Sequence, residues 1–151
     1  MTYTVAVIGT GTEPDDPGRD GYAMAYHHAA AYEKVDECEL VACADIVREN
    51  AEAFAAEFDL DDDAVFEDYE AMLDAVEPDI VSVCVPPAIH AEITVDCIES
   101  GVVDAIHCEK PMADTYGGAK RMAQAARDHD VQLTFNHQRR FSDAVRKAKD
   151  L

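Results

Sequence analysis

Tyr3-Thr4-Val5-Ala6-Val7-Ile8-Gly9-Thr10-Gly11-Thr12 is an apolar, β-branched run that ends on two closely spaced glycines. The run reads as a buried strand, since a parallel strand covered on both faces shows little alternation with polar residues. Gly9 permits a tight turn at its end, and Gly11 lets the backbone approach a pyrophosphate closely. A helix beginning past this turn offers free N–H groups and a positive dipole end to an anion. The pattern is incomplete. The third glycine of G-x-G-x-x-G falls at Pro14, and an acidic loop from Thr12 to Asp20 intervenes. Gly18 or Gly21 takes the third role on this reading. Glu13, Asp15 and Asp16 then point away from the phosphates, or Arg19 offsets them. Two glycines alone make only a turn; their place after the first strand favours nucleotide binding.

Working outward, strand and helix signals alternate from residue 3 to 136. Residues 21–33 are rich in alanine and read as a helix. Strand two spans 39–45, and Ala51, Phe54, Ala55 and Phe58 then recur at one-face helical spacing. Val65-Phe66 is a short third strand, and Tyr69, Met72, Leu73 and Val76 mark a short helix. Ile80-Val81-Ser82-Val83-Cys84-Val85 is nearly all apolar, as a central parallel strand should be. Ile89, Ile93 and Cys97 space a helix that Gly101 stops. Residues 105–108 and 131–135 are strands five and six, separated by a helix carrying Ala119, Met122 and Ala126. Residues 141–151 read as a final short helix. Such alternation means βαβ units and an α/β, doubly wound parallel (Rossmann) sheet of six strands, with order 3-2-1-4-5-6.

Composition excludes some functions. The 151 residues hold 12 Lys and Arg against 32 Asp and Glu, a net charge of −20. Phosphate binding along nucleic acid needs a cationic face, so nucleic acid is excluded as a partner, and an anionic membrane surface with it. Runs such as Asp59-Leu60-Asp61-Asp62-Asp63 read as solvated surface suited to a salt-rich cytoplasm. A cation-binding loop is the other reading, but the Gly and terminal Glu spacing of a calcium loop is missing. From Gln132 onward five cations face two anions, a net +3 against −23 for the residues before it. Five cysteines without a Cys-x-x-Cys pair point to a reduced, cytoplasmic protein. No metal site is expected, since the histidines show no spaced ligand set.

Four further motifs carry chemistry. Asp45 ends strand two, where a carboxylate accepts from adenosine ribose hydroxyls and repels a 2′-phosphate. It reads equally as the N-cap of a helix over 48–58. Asp45 favours NAD, while nearby Arg48 leaves NADP open. Val85-Pro86-Pro87-Ala88-Ile89-His90 leaves strand four at the topological switch point, where ligands bind. Pro87 is otherwise a helix start, and His90 either reaches a ligand or is structural. Glu109-Lys110-Pro111 ends strand five. A lysine there faces the same crevice, where it can orient a substrate hydroxyl and share its proton. Glu109 reads as its partner or as a ribose contact. Asn136, His137, Arg139 and Arg140 follow strand six, and either line the substrate side or form a basic entry to the last helix.

Taken in order, Gly9-Thr10-Gly11, Asp45, Pro86 to His90, Glu109-Lys110-Pro111 and Arg140-Phe141 resemble the N-terminal domain of the glucose–fructose oxidoreductase / inositol dehydrogenase / MocA family. The resemblance implies NAD(P)-dependent oxidation or reduction of a sugar, cyclitol or related polyol. It implies Lys110 at the catalytic centre and Gly9, Gly11, Asp45, Pro86 and Glu109 around the cofactor. Thr10, Thr12, Arg48, Val85, Pro87, His90 and Asn136 complete the expected cofactor set, with His137 and Arg140 on the substrate side. Residues 1–137 are then the dinucleotide domain, and 138–151 begin the connection to a second, substrate-binding domain, with a homo-oligomer formed by the whole protein. Two alternatives stay open. One is a non-catalytic NAD-binding sensor. The other is a redox-neutral sugar hydrolase or lyase that keeps NAD bound.

Overall fold

The computed structural model describes residues 2–12 and 24–150. Its strands are β1 (Tyr3–Ile8), β2 (Cys38–Ala44), β3 (Val65–Phe66), β4 (Ile80–Val83), β5 (Ala105–Cys108) and β6 (Gln132–Phe135). They form one parallel sheet in the order β3-β2-β1-β4-β5-β6, the doubly wound order read from the sequence. The helices are α1 (Met24–Tyr32), α2 (Arg48–Glu57), α3 (Tyr69–Val76), α4 (His90–Glu99), α5 (Tyr116–Asp128) and α6 (Asp143–Lys149). The residues 13–23, with the acidic loop's charges and the candidate third glycines, lie outside the described residues.

Side-chain alternation along each strand decides what covers each face. Ala6, Ile8, Val81, Val83, Ile106 and Cys108 belong to the core shared with Met72, Ile93, Ile98 and Met122 of α3, α4 and α5. Val7 and Cys43 belong to the second core, with Ala25 and Ala29 of α1 and Ala51 and Phe54 of α2. Right-handed crossovers require this division, because the chain winds one way from β1 to β3 and the other way from β4 to β6. The same alternation turns Ser82 of β4 and its register partner His107 of β5 toward α1. The α1 face is therefore apolar over β1 and β2 and polar over β4 and β5.

Several boundaries differ from the sequence reading. Strand four stops at Val83, and Cys84-Val85 already belong to the loop. The N-cap of α2 is Val47 rather than Asp45, because the Asp45 carboxylate is turned toward the glycine turn. Gln138–Phe141 form a 3-10 turn, so the last helix begins at Asp143. Gly101 does end the α4 region, at φ +76°.

The amino ends of the central strands are tied separately. Asp79 accepts from the Thr4 amide at 2.7 Å and from Thr4 Oγ1 at 2.9 Å. The Asp79 amide donates back to Thr4 Oγ1 at 3.0 Å. This clasp joins the start of β1 to the loop before β4.

Candidate cofactor and catalytic site

The carboxyl ends of β1, β2, β4 and β5 border one cleft of about 870 Å³. It lies where the chain's winding reverses between β1 and β4, the topological switch point of such a sheet.

The β1 turn forms one wall. Gly9 has φ +84°, and a Cβ there would lie 2.7 Å from Val85 Cγ1 and 2.9 Å from the Val85 amide nitrogen. Gly11 has φ +66° and a Cβ there would meet nothing within 4 Å among the described residues, so with respect to them its need for glycine is conformational. Asp45 braces the turn. Its Oδ2 accepts from the Gly11 amide at 2.8 Å and from Thr10 Oγ1 at 3.2 Å. Its Oδ1 accepts from the Val47 amide at 2.9 Å and from Asn50 Nδ2 at 3.4 Å. Ile46, 89% exposed, and Val47 add an apolar surface beside the carboxylate. Arg48 is held by Glu52 at 2.8 Å and faces Glu67 at 3.7 Å, and it is not among the cleft's lining residues.

Val85, Pro86 and Pro87 form the opposite wall. The Cys84 amide donates to Ile8 O at 2.8 Å, which carries the β1–β4 pairing up to the loop. Pro87 begins a short 3-10 turn before α4, as its fixed φ favours. His90 is fully buried behind this wall, with one ring nitrogen 2.8 Å from Val85 O and the other 2.8 Å from Pro111 O. Its contacts are those of the structural alternative, linking the loops after β4 and β5.

Glu109 and Lys110 close the floor. Glu109 is 5% exposed, yet its carboxylate is fully engaged. Oε1 accepts from His28 Nε2 at 2.9 Å and, through a short contact, from Asn136 Nδ2. Oε2 accepts from the Lys110 amide at 3.1 Å and from Lys110 Nζ at 3.0 Å. Burial by itself would raise the Glu109 carboxyl. The hydrogen bonds from His28, Asn136 and Lys110 outweigh it and hold this carboxyl well below the usual range. A depressed folded-state value means stability that is present above the unfolded value, about 4.3. It is lost as pH falls from there through the folded value. The stability advantage of wild type over Glu109→Gln should therefore shrink between about pH 4.3 and pH 2, as read from urea midpoints.

Behind Glu109 lies a polar cluster that sequence reasoning passed over. His28 Nδ1 lies 2.6 Å from Ser82 Oγ, and its ring stacks on His107 at 4.3 Å with planes 7° apart. Burial first, then the neighbouring His28, pushes His107 down to about 4 despite Glu109. Tyr32 OH lies 3.3 Å from His107 Nδ1, and burial pushes the phenol up to about 12. A signal existed. Ala25, His28, Ala29 and Tyr32 share one helical face, with a histidine among alanines. Thr12, His137 and Arg140 are exposed and do not line the cleft, while Asn136 reaches it only through Glu109.

A dinucleotide fits these residues. Two left-handed glycines leave room for a close backbone approach, and a carboxylate stands at the end of β2 beside an apolar shelf. The lysine stands at the other end of the cleft, over β5. Among the described residues, no group of three or more His, Cys, Asp or Glu side chains is placed to hold a metal ion. Among them too, no helix is long and apolar enough to cross a membrane.

Comparison with known proteins matches residues 3–137 to the family model described as Gfo/Idh/MocA, "Oxidoreductase family, NAD-binding Rossmann fold". D-glucoside 3-dehydrogenase of Escherichia coli is 36% identical over 138 residues, covering 91% of this chain and 35% of that protein. D-xylose 1-dehydrogenase [NADP(+)] of Haloarcula marismortui is 32% identical over 117 residues, covering 77% of this chain and 32% of that protein. The chain thus spans about a third of the length of these curated relatives. The crystal structure of the WlbA dehydrogenase from Bordetella pertussis, in complex with NADH and UDP-GlcNAcA, superposes with TM-score 0.85 at 22% identity. That likeness covers 99% of this chain and 41% of the other and shows the shared fold.

Proposed function

The chain belongs to the Gfo/Idh/MocA oxidoreductase family and forms its NAD-binding Rossmann domain, and from this premise we propose that it is the cofactor half of a dehydrogenase for a sugar, cyclitol or related polyol. The observation that carries the reading is the Glu109–Lys110 pair, which borders the same cleft as the Gly9–Gly11 turn and Asp45. When bound, the nicotinamide supplies a two-electron hydride acceptor.

The chain's own residues then do the following. The turn at Gly9, Thr10 and Gly11 receives the pyrophosphate, for which the missing Cβ atoms leave room. Asp45 accepts from the adenosine ribose hydroxyls, and Ile46 offers the adenine an apolar contact. Val85, Pro86 and Pro87 bound the nicotinamide side with a rigid loop. Lys110 Nζ orients the substrate hydroxyl and shares its proton, while Glu109 holds the lysine. Arg48 and His90 take structural parts in this reading, since both side chains are engaged elsewhere.

Residues 138–151 begin the connection to a second, substrate-binding domain, which in this reading also carries the interface of a homo-oligomer. The complete exposure of α6 supports this, because none of its side chains is buried. The net charge of −20 suits a salt-rich cytoplasm.

Calorimetric titration of the chain with NAD and NADP, at high salt, tests the cofactor assignment. NAD should bind about tenfold or more tightly than NADP, a difference of about 1.4 kcal/mol. The Asp45 charge next to a 2′-phosphate is its cause. Preference for NADP would show Asp45 misassigned, and no heat with either would remove the cofactor reading.

A further inference from the structure

Glu109 is a two-sided bracket. Its Oε2 faces the cleft and holds both the amide and the Nζ of Lys110. Its Oε1 faces the interior and meets His28 and Asn136. A carboxylate is planar, so whatever fixes the interior oxygen also fixes where the cleft oxygen points. Lys110 cannot fix that plane itself, since its side chain is half exposed and flexible. Asn136 lies at the exit of β6, and its amide nitrogen is divided among Glu109, Gln138 and, at 3.0 Å, His28 Nε2, so it is not committed to the carboxylate alone.

His28 is the rigid element. It is 4% exposed, near the middle of α1. A carboxylate only accepts, so Nε2 must be the donor to Glu109. In the neutral ring Nδ1 then accepts from Ser82 Oγ at 2.6 Å. The stack on His107 fixes the ring plane, and the Cys84 thiol lies 3.5 Å from Nδ1. Among the described residues, the titratable groups around the ring are Glu109 and His107 from β5 and its end, Cys84 from the β4 loop, and Tyr32 from its own helix. Burial raises the Cys84 thiol, so that neighbour stays neutral.

We propose that His28 is a positioning residue for the reaction: it sets the plane of the Glu109 carboxylate from behind the sheet and so aims Lys110 Nζ into the cleft. The role rests on the dehydrogenase reading above. His28 does not itself line the cleft and reaches it only through Glu109 and Cys84, which do.

The test uses the 151-residue chain labelled with [13C]glutamate and [15N]lysine, with NADH titrated in parallel. In wild type, Glu109 should stay ionised through the mildly acidic range, and Lys110 Nζ should give a resolved, slowly exchanging signal. In His28→Leu the proton affinity of Glu109 should rise about tenfold or more, as loss of a hydrogen bond to a charged group implies. The Lys110 Nζ signal should be lost to exchange. In His28→Gln, whose amide can donate to Oε1, both signatures should return to within about threefold of wild type. A purely structural histidine would predict no such rescue. If His28→Leu does not fold, Ser82→Ala carries the test, because it removes the group that holds the ring's tautomer. Ser82 also bonds Tyr32, so Tyr32→Phe is the matched control for that second contact; in Ser82→Ala, and not in Tyr32→Phe, the Glu109 affinity should rise about threefold. Unmoved Glu109 and Lys110 signals in the folded variant overturn the proposal, as does failure of His28→Gln to restore them. Failure of wild type to bind NADH would instead overturn the dehydrogenase reading, while the two NMR signatures still decide the bracket.

Discussion

In the full-length dehydrogenase to which we propose this domain belongs, Lys110→Ala is expected to lower kcat by about 10²- to 10⁴-fold, the range typical of a lost general acid–base group. The change removes the only cation among the described residues that line the cleft, where the proposed reading places the substrate hydroxyl. KM should change far less than kcat, because a proton shared in the transition state contributes little to ground-state binding. The fold should survive. Lys110 is half exposed, so its ion pair with Glu109 is screened and contributes little stability. Steady-state kinetics with matched thermal melts measures both. Turnover at the wild-type rate would remove Lys110 from the catalytic centre, whereas absence of turnover in the full-length wild type would leave the NAD-binding sensor in its place. Lys110→Arg should not rescue, because the guanidinium stays charged and cannot take a proton.

Gly9→Ala should cost about 2–6 kcal/mol of unfolding free energy. Two effects sum. A non-glycine residue at φ +84° bears about 1–3 kcal/mol of backbone strain. The new methyl also meets the Val85 amide nitrogen at 2.9 Å and the Cys84 carbonyl carbon at 3.1 Å, both backbone atoms that cannot rotate away. Relieving such overpacking typically costs about 1–3 kcal/mol more. Relief means spreading β1 from the β4 loop at the cleft, so NAD affinity should fall along with stability. Gly11→Ala is the control. It carries the same sign of φ but meets nothing within 4 Å among the described residues, so it should bear the strain alone. Urea unfolding of the two variants separates steric from conformational cost. Equal losses would show that the Val85 contact relaxes freely.

Much of this was legible in the sequence, for identifiable reasons. Continuous apolar runs and helical spacing placed all six strands and their order, because parallel sheets are built from such runs. The cleft residues after β1, β2, β4 and β5 were legible because chemistry at a strand's end announces itself by residue type: glycine, aspartate, proline, lysine. What was not legible depended on three dimensions. Asp45 sits where a helix cap would sit, and only the structure shows it turned toward Gly11. His90 resembles a ligand in sequence, and only its two carbonyl contacts show a loop tie. Ser82 and His107 are single polar residues within apolar strand runs and form no motif by themselves. Their meaning comes from register, which pairs them across β4 and β5 under a histidine from a distant helix. Ile46 carried no motif at all; its place beside Asp45 gives it a part in the site.

The Thr4–Asp79 clasp has a bearing on how such a domain can change over time. It holds the sheet at the end farthest from the cleft and shares no partner with any residue that borders it. Energetic effects at sites so separated add rather than couple. Cohesion of the sheet can therefore be tuned at the amino ends, whether for heat or for salt, without reshaping the cleft. The carboxyl ends, in turn, can keep a strained turn and an open floor, because the central strands are also tied at their opposite ends.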